Sequence, residues 1–234
     1  MKRLFIIMLF VLICVGMGGC IMLQPTEEKL TVNKIDDTRI RLPELKYDSG
    51  TSVEQAIHER RSVREYKGKK LKITDVSQIL WAAQGISDSA GYRTTPSAGA
   101  LYPLELYAVI GNVEDVAQGV YKYRPREHEL VKVRDGDIRN HLADAALRQD
   151  FIKEAALVLV FSAVYERTTQ KYGDRGIRYV QIEIGHAAQN VYLQAVSLDL
   201  GTVAVGAFHD NKVSEILNMP DKEIPLYIMP IGRM

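Results

Sequence analysis

Three arginines and one serine lie within five consecutive positions of the chain, as Arg60, Arg61, Ser62 and Arg64. A guanidinium carries a planar fork of N–H donors, which pairs bidentately with the oxygens of a phosphate or a carboxylate. This run therefore suits an anion with several oxygens. A short basic run is also common at a solvated helix end, so the pattern by itself indicates a binding site only weakly.

A turn of small residues is formed by Pro96, Ser97, Ala98 and Gly99, just before a predicted strand. Proline stiffens such a turn, and small side chains leave backbone amides open to a ligand that lies against the chain. The sequence contains neither a P-loop nor a GxGxxG motif, so a cradled triphosphate and a Rossmann dinucleotide site are not supported. An ordinary loop is the alternative for this turn.

Two further segments have residue types that suit a binding site. The stretch 201–208 is apolar and contains two glycines, and a flat aromatic ring can lie against its end at Val205 and Gly206. An ordinary core strand explains the same stretch equally well. Near the C-terminus, Arg233 again provides a guanidinium beside a glycine.

Capping signals and apolar periodicity predict the elements that position these residues. Ser52 and Gln55 have the spacing of a capping box and begin a helix, and a second helix follows Thr74 and ends near Gly85. Further helices are predicted over 135–147, 179–200 and 212–217, and strands over 104–110, 120–124, 129–133, 156–164, 202–207 and 226–231. The 179–200 helix has little purely polar surface, so we expect it to be central. This order of elements predicts an α+β fold with a mixed sheet.

Composition excludes several classes of function. The chain has 234 residues, of which 47% are hydrophobic, and a formal charge of +1 that gives no basic surplus for nucleic acid. Its only cysteines, Cys14 and Cys20, lie in the N-terminal apolar stretch, which excludes a disulfide framework and a cysteine nucleophile from the rest of the chain. The five histidines have neither HxxxH nor HExxH spacing, so no metal site is expected.

Residues 1–23 have the features of a leader. Two basic residues precede an uncharged stretch, which is a secretory pattern and is just long enough to cross a bilayer as a helix. Residues 17–20 resemble a lipobox, so a lipid anchor at Cys20 and an uncleaved helix both stay open. We expect membrane attachment on the extracytoplasmic face. Residues 24–50 are polar and irregular, and are predicted to tether a domain that occupies 51–234.

In combination, these segments resemble the FMN-dependent nitroreductase superfamily, especially its SagB-type dehydrogenase branch, which includes the azoline oxidases of thiazole/oxazole peptide maturation. The resemblance runs from Ser52 to Arg233. Its specific parts are RRSVREY at 60–66, TTPSAGALYPLELY at 94–107, KYGDRGIRYVQIEIGHAAQNVYLQA at 171–195 and LGTVAVGAF at 200–208. It implies a nitroreductase-like α+β fold in a homodimer, with a mixed, mainly antiparallel sheet flanked by helices around a central helix.

The resemblance also implies FMN as the cofactor, held between two subunits. It implies that the run at 60–64 contacts the flavin phosphate and the pyrimidine edge. It also implies that the turn at 96–99 reaches the flavin held mainly by the other subunit. Val205 and Gly206 then lie near the reactive N5, and Arg233 lies near the phosphate.

Lys171 and Tyr172 match a Lys-Tyr pair that looks like the catalytic pair of the azoline-oxidising members. A lysine could take a ring proton while hydride leaves to flavin N5, if desolvation lowered its pKa. The alternative for this pair is simply the start of a loop at Gly173. We expect an FMN-dependent oxidoreductase with a heterocyclic or peptide-borne substrate. An NAD(P)H-dependent nitro or quinone reductase, with NAD(P)H as co-substrate, and a non-catalytic membrane-anchored flavin-binding protein are the alternatives.

Overall fold

The computed structural model describes residues 32–234. The leader predicted over 1–23 lies outside the described residues, so its anchor and the extracytoplasmic localisation stay predictions. From residue 32 onward, no helix is both long and apolar enough to cross a membrane.

Eight strands of the described chain form one sheet. They are β1 (Asn33–Lys34), β2 (Arg39–Arg41), β3 (Leu104–Ile110), β4 (Gly119–Arg124), β5 (Glu129–Asp135), β6 (Leu157–Ala163), β7 (Leu200–Thr202) and β8 (Ile224–Arg233). Their spatial order is β1-β2-β5-β4-β3-β6-β8-β7, and neighbouring strands pair antiparallel. An isolated parallel bridge joins Ser62 to Thr202. The predicted mixed, mainly antiparallel sheet is confirmed.

The helices are α1 (Val53–Glu59), α2 (Ile73–Gln84), α3 (Arg139–Ala145), α4 (Phe151–Glu154), α5 (Glu166–Tyr172), α6 (Arg175–Ser197) and α7 (Asp210–Ile216). Ser52 caps α1 as predicted, because its side chain accepts a hydrogen bond from the backbone N–H of Gln55 at 3.1 Å. The predicted central helix corresponds to α6, which begins four residues earlier than expected. The sequence did not predict α4 or α5, which are short.

The helices cover both faces of the sheet. Successive side chains of a strand point to opposite faces, so β3 contributes Leu106 and Ala108 to one core and Tyr107 and Val109 to the other. Helices α2 and α6 pack on the first face, and α3 and α7 pack on the second. The central helix α6 also contacts α1, α5, β7 and β8. This packing brings the segments with candidate chemistry around a single helix.

Part of the predicted tether belongs to the sheet. Where an irregular segment was expected over 24–50, β1 and β2 form a hairpin whose second strand pairs with β5. Ile40 and Leu42 are buried in the core, and the Leu42 N–H donates to the His128 carbonyl at 3.0 Å. The pairing of β2 with a distant strand stabilises this segment, although its sequence is mostly polar.

Candidate functional site

The arginine-serine run directly follows α1. Arg60 is the C-cap of that helix, and the next residues lie beside β7, where the Val63 N–H donates to the Thr202 carbonyl at 2.9 Å. The Arg60 guanidinium carbon lies 5.2 Å from the Tyr192 ring centroid, and that of Arg64 lies 5.8 Å from the Phe151 ring centroid. Within residues 32–234, none of the three arginines of the run forms an ion pair with a carboxylate.

Tyr192 of α6 joins this run to the apolar segment that follows β7. Its hydroxyl lies 3.2 Å from Ser62 Oγ and accepts a hydrogen bond from the backbone N–H of Ala204 at 2.8 Å. Arg60, Ser62 and Ala204 therefore all contact the side chain of Tyr192. Tyr192 was not predicted as a site residue, because an aromatic residue on a central helix has the same pattern as an ordinary core residue.

The strand predicted over 202–207 is wrong beyond Thr202. Because Ala204 donates its N–H to Tyr192, the chain leaves the β-ladder there and returns only through an isolated bridge between Val205 and Ile228. The two backbone hydrogen bonds of that bridge measure 2.8 and 3.0 Å. Val205 is buried, whereas Gly206 is exposed. The segment therefore presents its backbone at Gly206 to the surface.

Close backbone contact at Gly201 fixes the arginine-serine run against β7. A Cβ on Gly201 would lie 2.6 Å from Val63 Cγ1, so no larger residue fits without displacing Val63. The helix predicted over 179–200 ends earlier, at Ser197, and Gly201 lies inside β7. Its role is close packing.

The small-residue turn contacts the Lys-Tyr pair. Gly99 has a φ of +64°, and a Cβ placed on it would lie 2.7 Å from Tyr172 Oη and 3.0 Å from Lys171 Nζ. The pair occupies the last turn of α5 and is followed by Gly173 as the C-cap. The structure thus brings together two motifs separated by more than seventy residues of sequence.

Asn190 fixes the beginning of the turn. Its Nδ2 lies 3.1 Å from the Ala82 carbonyl oxygen, 3.4 Å from that of Thr94 and 3.2 Å from Thr95 Oγ1. Successive residues of an α-helix are rotated by about 100°, so Asn190 and Tyr192 project from opposite sides of α6. Within one chain, the turn and the arginine-serine run therefore contact different sides of the central helix.

Arg233 differs from the other arginines of the predicted site. Its Nη2 forms an ion pair with Asp75 Oδ2 at 2.6 Å, and its Nη1 donates to the Leu198 carbonyl at 2.7 Å. These contacts join β8 to α2 and to the end of α6. A role as a phosphate ligand, which stays a prediction, would require Arg233 to share its guanidinium with Asp75.

The nitroreductase family profile matches residues 57–233, which include every predicted site residue. The chain belongs to the nitroreductase family. The predicted family resemblance and the expectation of an enzyme of this family are confirmed by that match and by relatives that are named as reductases and oxidoreductases.

Relatives of this nitroreductase-family chain include a Methanocaldococcus jannaschii protein named as a nitroreductase, which is 51% identical over 198 residues, covering 85% of this chain and 98% of that protein. A Vibrio harveyi NADPH-flavin oxidoreductase is 32% identical over 111 residues, covering 44% of this chain and 46% of that protein.

Solved structures confirm the predicted nitroreductase-like fold. A Ralstonia eutropha protein named as a nitroreductase superposes with a TM-score of 0.75 at 29% identity, covering 90% of this chain and 97% of that chain. A chain of the Escherichia coli microcin synthetase McbBCD complex, with truncated pro-MccB17 bound, gives a TM-score of 0.64 at 25% identity and covers 82% of this chain and 78% of that chain.

Glu183 is a buried acid of α6 that was not predicted from the sequence. It lies on the same side of α6 as Asn190, is only 2% exposed, and its Oε1 makes no hydrogen bond in the described part of the chain. Burial raises its pKa from 4.5 to about 7, while the Ser97 hydroxyl and the Arg93 guanidinium act in the opposite direction. An acid that titrates near neutral pH therefore lies beneath the small-residue turn.

The Glu183→Gln variant is expected to be more stable than the parent at pH 8 and to lose this advantage by pH 5. The folded chain keeps the Glu183 proton where the unfolded chain has lost it, so the free energy of unfolding falls as pH rises from 4.5 to about 7. At high pH, the free energy of unfolding of the Glu183→Gln variant should therefore exceed that of the parent by about 1–3 kcal/mol.

Urea unfolding of both proteins at several pH values measures this difference. Glu215→Gln, at an exposed position of α7, is the matched control and should show no such trend. A Glu183→Gln difference that is constant with pH would contradict the assigned burial effect.

Proposed function

We propose that this chain is an FMN-dependent oxidoreductase whose cofactor lies between two subunits. One observation carries the proposal: Tyr192 joins the arginine-serine run to the segment after β7, because it contacts Arg60, Ser62 and the backbone N–H of Ala204. Within residues 32–234, the three arginines of the run have no carboxylate partner. Three arginines within five residues, none of them paired with an acid of the described chain, favour a polyanionic ligand. The membership of the nitroreductase family supports FMN as that ligand.

The residues of this site fit FMN. Arg60, Arg61 and Arg64 would bind its phosphate, and Ser62 would reach the pyrimidine edge of the ring. The exposed backbone at Gly206 leaves room for a flat ring to lie against it. When bound, FMN supplies two-electron chemistry, with hydride transfer at N5.

A second copy of the chain would supply the small-residue turn. Ile177 and Ile182 of α6 are each 49% exposed, and nothing in the described chain lies within 4 Å of a Cβ placed on Gly185. A glycine inside a helix costs about 0.5–1 kcal/mol relative to alanine, and no internal contact requires one here. Close approach of a partner helix accounts for both features, and it supports a homodimer.

In this dimer, the turn of one subunit would bring its Lys171 and Tyr172 to the flavin held by the other. Lys171 is exposed in the single chain and sits against Gly99. Desolvation by the partner subunit and the bound substrate would favour its neutral amine, whose Nζ can accept a proton. This arrangement favours oxidation of a heterocyclic or peptide-borne substrate. The similarity to the McbBCD chain, which was solved with a peptide precursor bound, supports the same choice.

NAD(P)H-dependent reduction of nitro compounds or quinones is the second candidate. The observation that favours it is the 32% identity to an NADPH-flavin oxidoreductase over 111 residues. The two reactions differ in the electron donor. Reduction of the protein-bound flavin by NADPH, followed by its oxidation by a quinone, would select the second candidate.

The full chain, supplied with FMN during purification, is expected to be yellow and dimeric. Ile182→Glu buries a charge in the proposed interface, so this variant should become monomeric and lose most of its FMN. Ile224→Glu, at the exposed first residue of β8, is the matched control and should keep both properties. Light scattering measures the oligomeric state, and the visible spectrum measures the bound FMN.

Two outcomes of this experiment would count against the proposal. A full chain that takes up no FMN contradicts the proposed cofactor. A dimeric, yellow Ile182→Glu variant contradicts the proposed interface while leaving the cofactor in place.

A further inference from the structure

Four arginines surround a cavity of about 520 Å³ next to the small-residue turn. They are Arg93, Arg124, Arg126 and Arg167, and we call this space the arginine cavity. Among the residues that the structure describes, Glu105 and Glu127 are the only acids that line it, so its lining carries a formal charge of +2. Guanidiniums that converge on one cavity favour the binding of an anion, because each offers a fork of charged N–H donors.

Three of these guanidiniums are not neutralised by a carboxylate. Across residues 32–234, the side chains of Arg124 and Arg126 make neither a hydrogen bond nor an ion pair. Arg93 donates only to neutral oxygens, to Gln84 Oε1 at 2.7 Å and to the Leu104 carbonyl at 3.3 Å. Its guanidinium carbon also lies 4.7 Å from the Tyr102 ring centroid. Donors with net positive charge are thus available to a ligand.

Glu105, the more buried of the two acids, is already neutralised. Glu105 forms two ion pairs, one between its Oε1 and Arg167 Nη2 at 2.5 Å and one between its Oε2 and Lys122 Nζ at 3.0 Å. Burial opposes its ionisation, but these two cations keep the pKa of Glu105 below its ordinary value. Glu127 is exposed on the turn between β4 and β5. Neither acid cancels the charge of Arg93, Arg124 and Arg126.

We propose that the arginine cavity binds an anionic group, a carboxylate or a phosphate, of the second substrate. Ala100 and Tyr102 line the cavity, and they directly follow the turn that ends at Gly99. The Tyr102 N–H donates to Ser97 Oγ at 2.9 Å, which joins the cavity wall to the turn. This inference rests on the proposed function, in which the same turn reaches the flavin of the partner.

The flavin phosphate does not explain the cavity. Two residues of the proposed FMN site, Arg60 and Ser62, contact Tyr192, on the side of α6 opposite to Asn190 and the beginning of the turn. The cavity is formed instead by the loop at 86–93, residues 100–105 after the turn, the segment 123–127 and Arg167. The second substrate must reach the flavin ring, and the arginine cavity lies next to the turn that is proposed to reach that ring. The arginine cavity would therefore bind an anionic group of the second substrate.

A pair of substrates that differ only in charge tests the proposal. FMN-loaded full chain is assayed with 4-nitrobenzoate and with the neutral 4-nitrobenzamide as electron acceptors, and with NADPH against NADH as donors. The variant is the double substitution Arg124→Gln, Arg126→Gln. The matched control is Arg148→Gln, an exposed arginine after α3 that makes no side-chain hydrogen bond in the described residues.

In the double variant, the KM of the anionic substrate should rise about 10- to 100-fold, because charge-assisted hydrogen bonds are lost. The KM of the neutral 4-nitrobenzamide should stay within about threefold, and the control should change neither. A selective effect on 4-nitrobenzoate identifies the acceptor as the source of the anion. A rise in KM for NADPH alone identifies the 2′-phosphate of the donor, and a rise for both NADPH and NADH identifies their pyrophosphate.

A binding measurement without turnover separates this proposal from the proposed function. Inorganic pyrophosphate should raise the Tm of the FMN-loaded chain, in which the phosphate site is filled, and not that of the double variant. Equal shifts in both proteins, together with unchanged KM values, overturn the cavity assignment while FMN binding stands. A chain that never takes up FMN but shows the variant-sensitive shift overturns only the proposed function.

Discussion

Replacing Arg60 and Arg64 together by alanine is expected to weaken FMN binding by about 100-fold or more. Each lost charge-assisted hydrogen bond costs about 1.5–3 kcal/mol, and a tenfold change in Kd corresponds to about 1.4 kcal/mol. Neither side chain has an ion pair in the described chain, so the fold does not depend on their charges. Titration of the apoprotein with FMN, followed by flavin fluorescence, measures the change.

Two further variants test whether geometry or charge explains the loss. Arg60→Lys keeps the charge but not the planar fork, so it should weaken binding by about tenfold. Arg41→Ala removes an exposed arginine from β2, near the edge of the sheet opposite to β7, and should have no effect. If the double alanine variant binds FMN within about threefold of the parent, the arginine-serine run is not the phosphate site.

The parts of this site that the sequence predicted are those whose signals are local. The cap at Ser52, the strand Leu104–Ile110 and the hairpin of β4 and β5 follow from residues that are close in sequence. The motifs at 60–64 and 96–99 were recognisable for the same reason. Local signals were therefore enough to predict the fold class and the candidate binding segments.

The contacts that join these segments are non-local, and the sequence did not predict them. Tyr192 lies 130 residues from its partner Ser62, and Arg233 lies 158 residues from Asp75. β2 becomes a strand only because β5 offers it an edge. The raised pKa of Glu183 likewise comes from burial beneath a turn that lies far away in sequence. Such properties depend on the assembled fold.

Lys171→Met is expected to lower the rate of substrate oxidation by about 100-fold or more, while the Kd for FMN changes by less than about threefold. A positioned general base contributes about 10²–10⁴-fold to a rate. Lys171 sits against Gly99 at the end of α5 and has no ion pair in residues 32–234, so its removal should leave the fold intact. Single-turnover bleaching of the flavin absorbance by an azoline-bearing peptide measures the rate.

The choice of substitution separates a base from a mere positive charge. Lys171→Arg keeps the charge, but a guanidinium cannot give up its proton, so a true base predicts that this variant is as slow as Lys171→Met. Recovery of the parent rate by Lys171→Arg would assign Lys171 an electrostatic role instead. Lys212→Met, on the exposed surface of α7, is the matched control. Equal rates for Lys171→Met and Lys212→Met would exclude Lys171 from the reaction, and the Lys-Tyr pair would then only support the turn at Gly99.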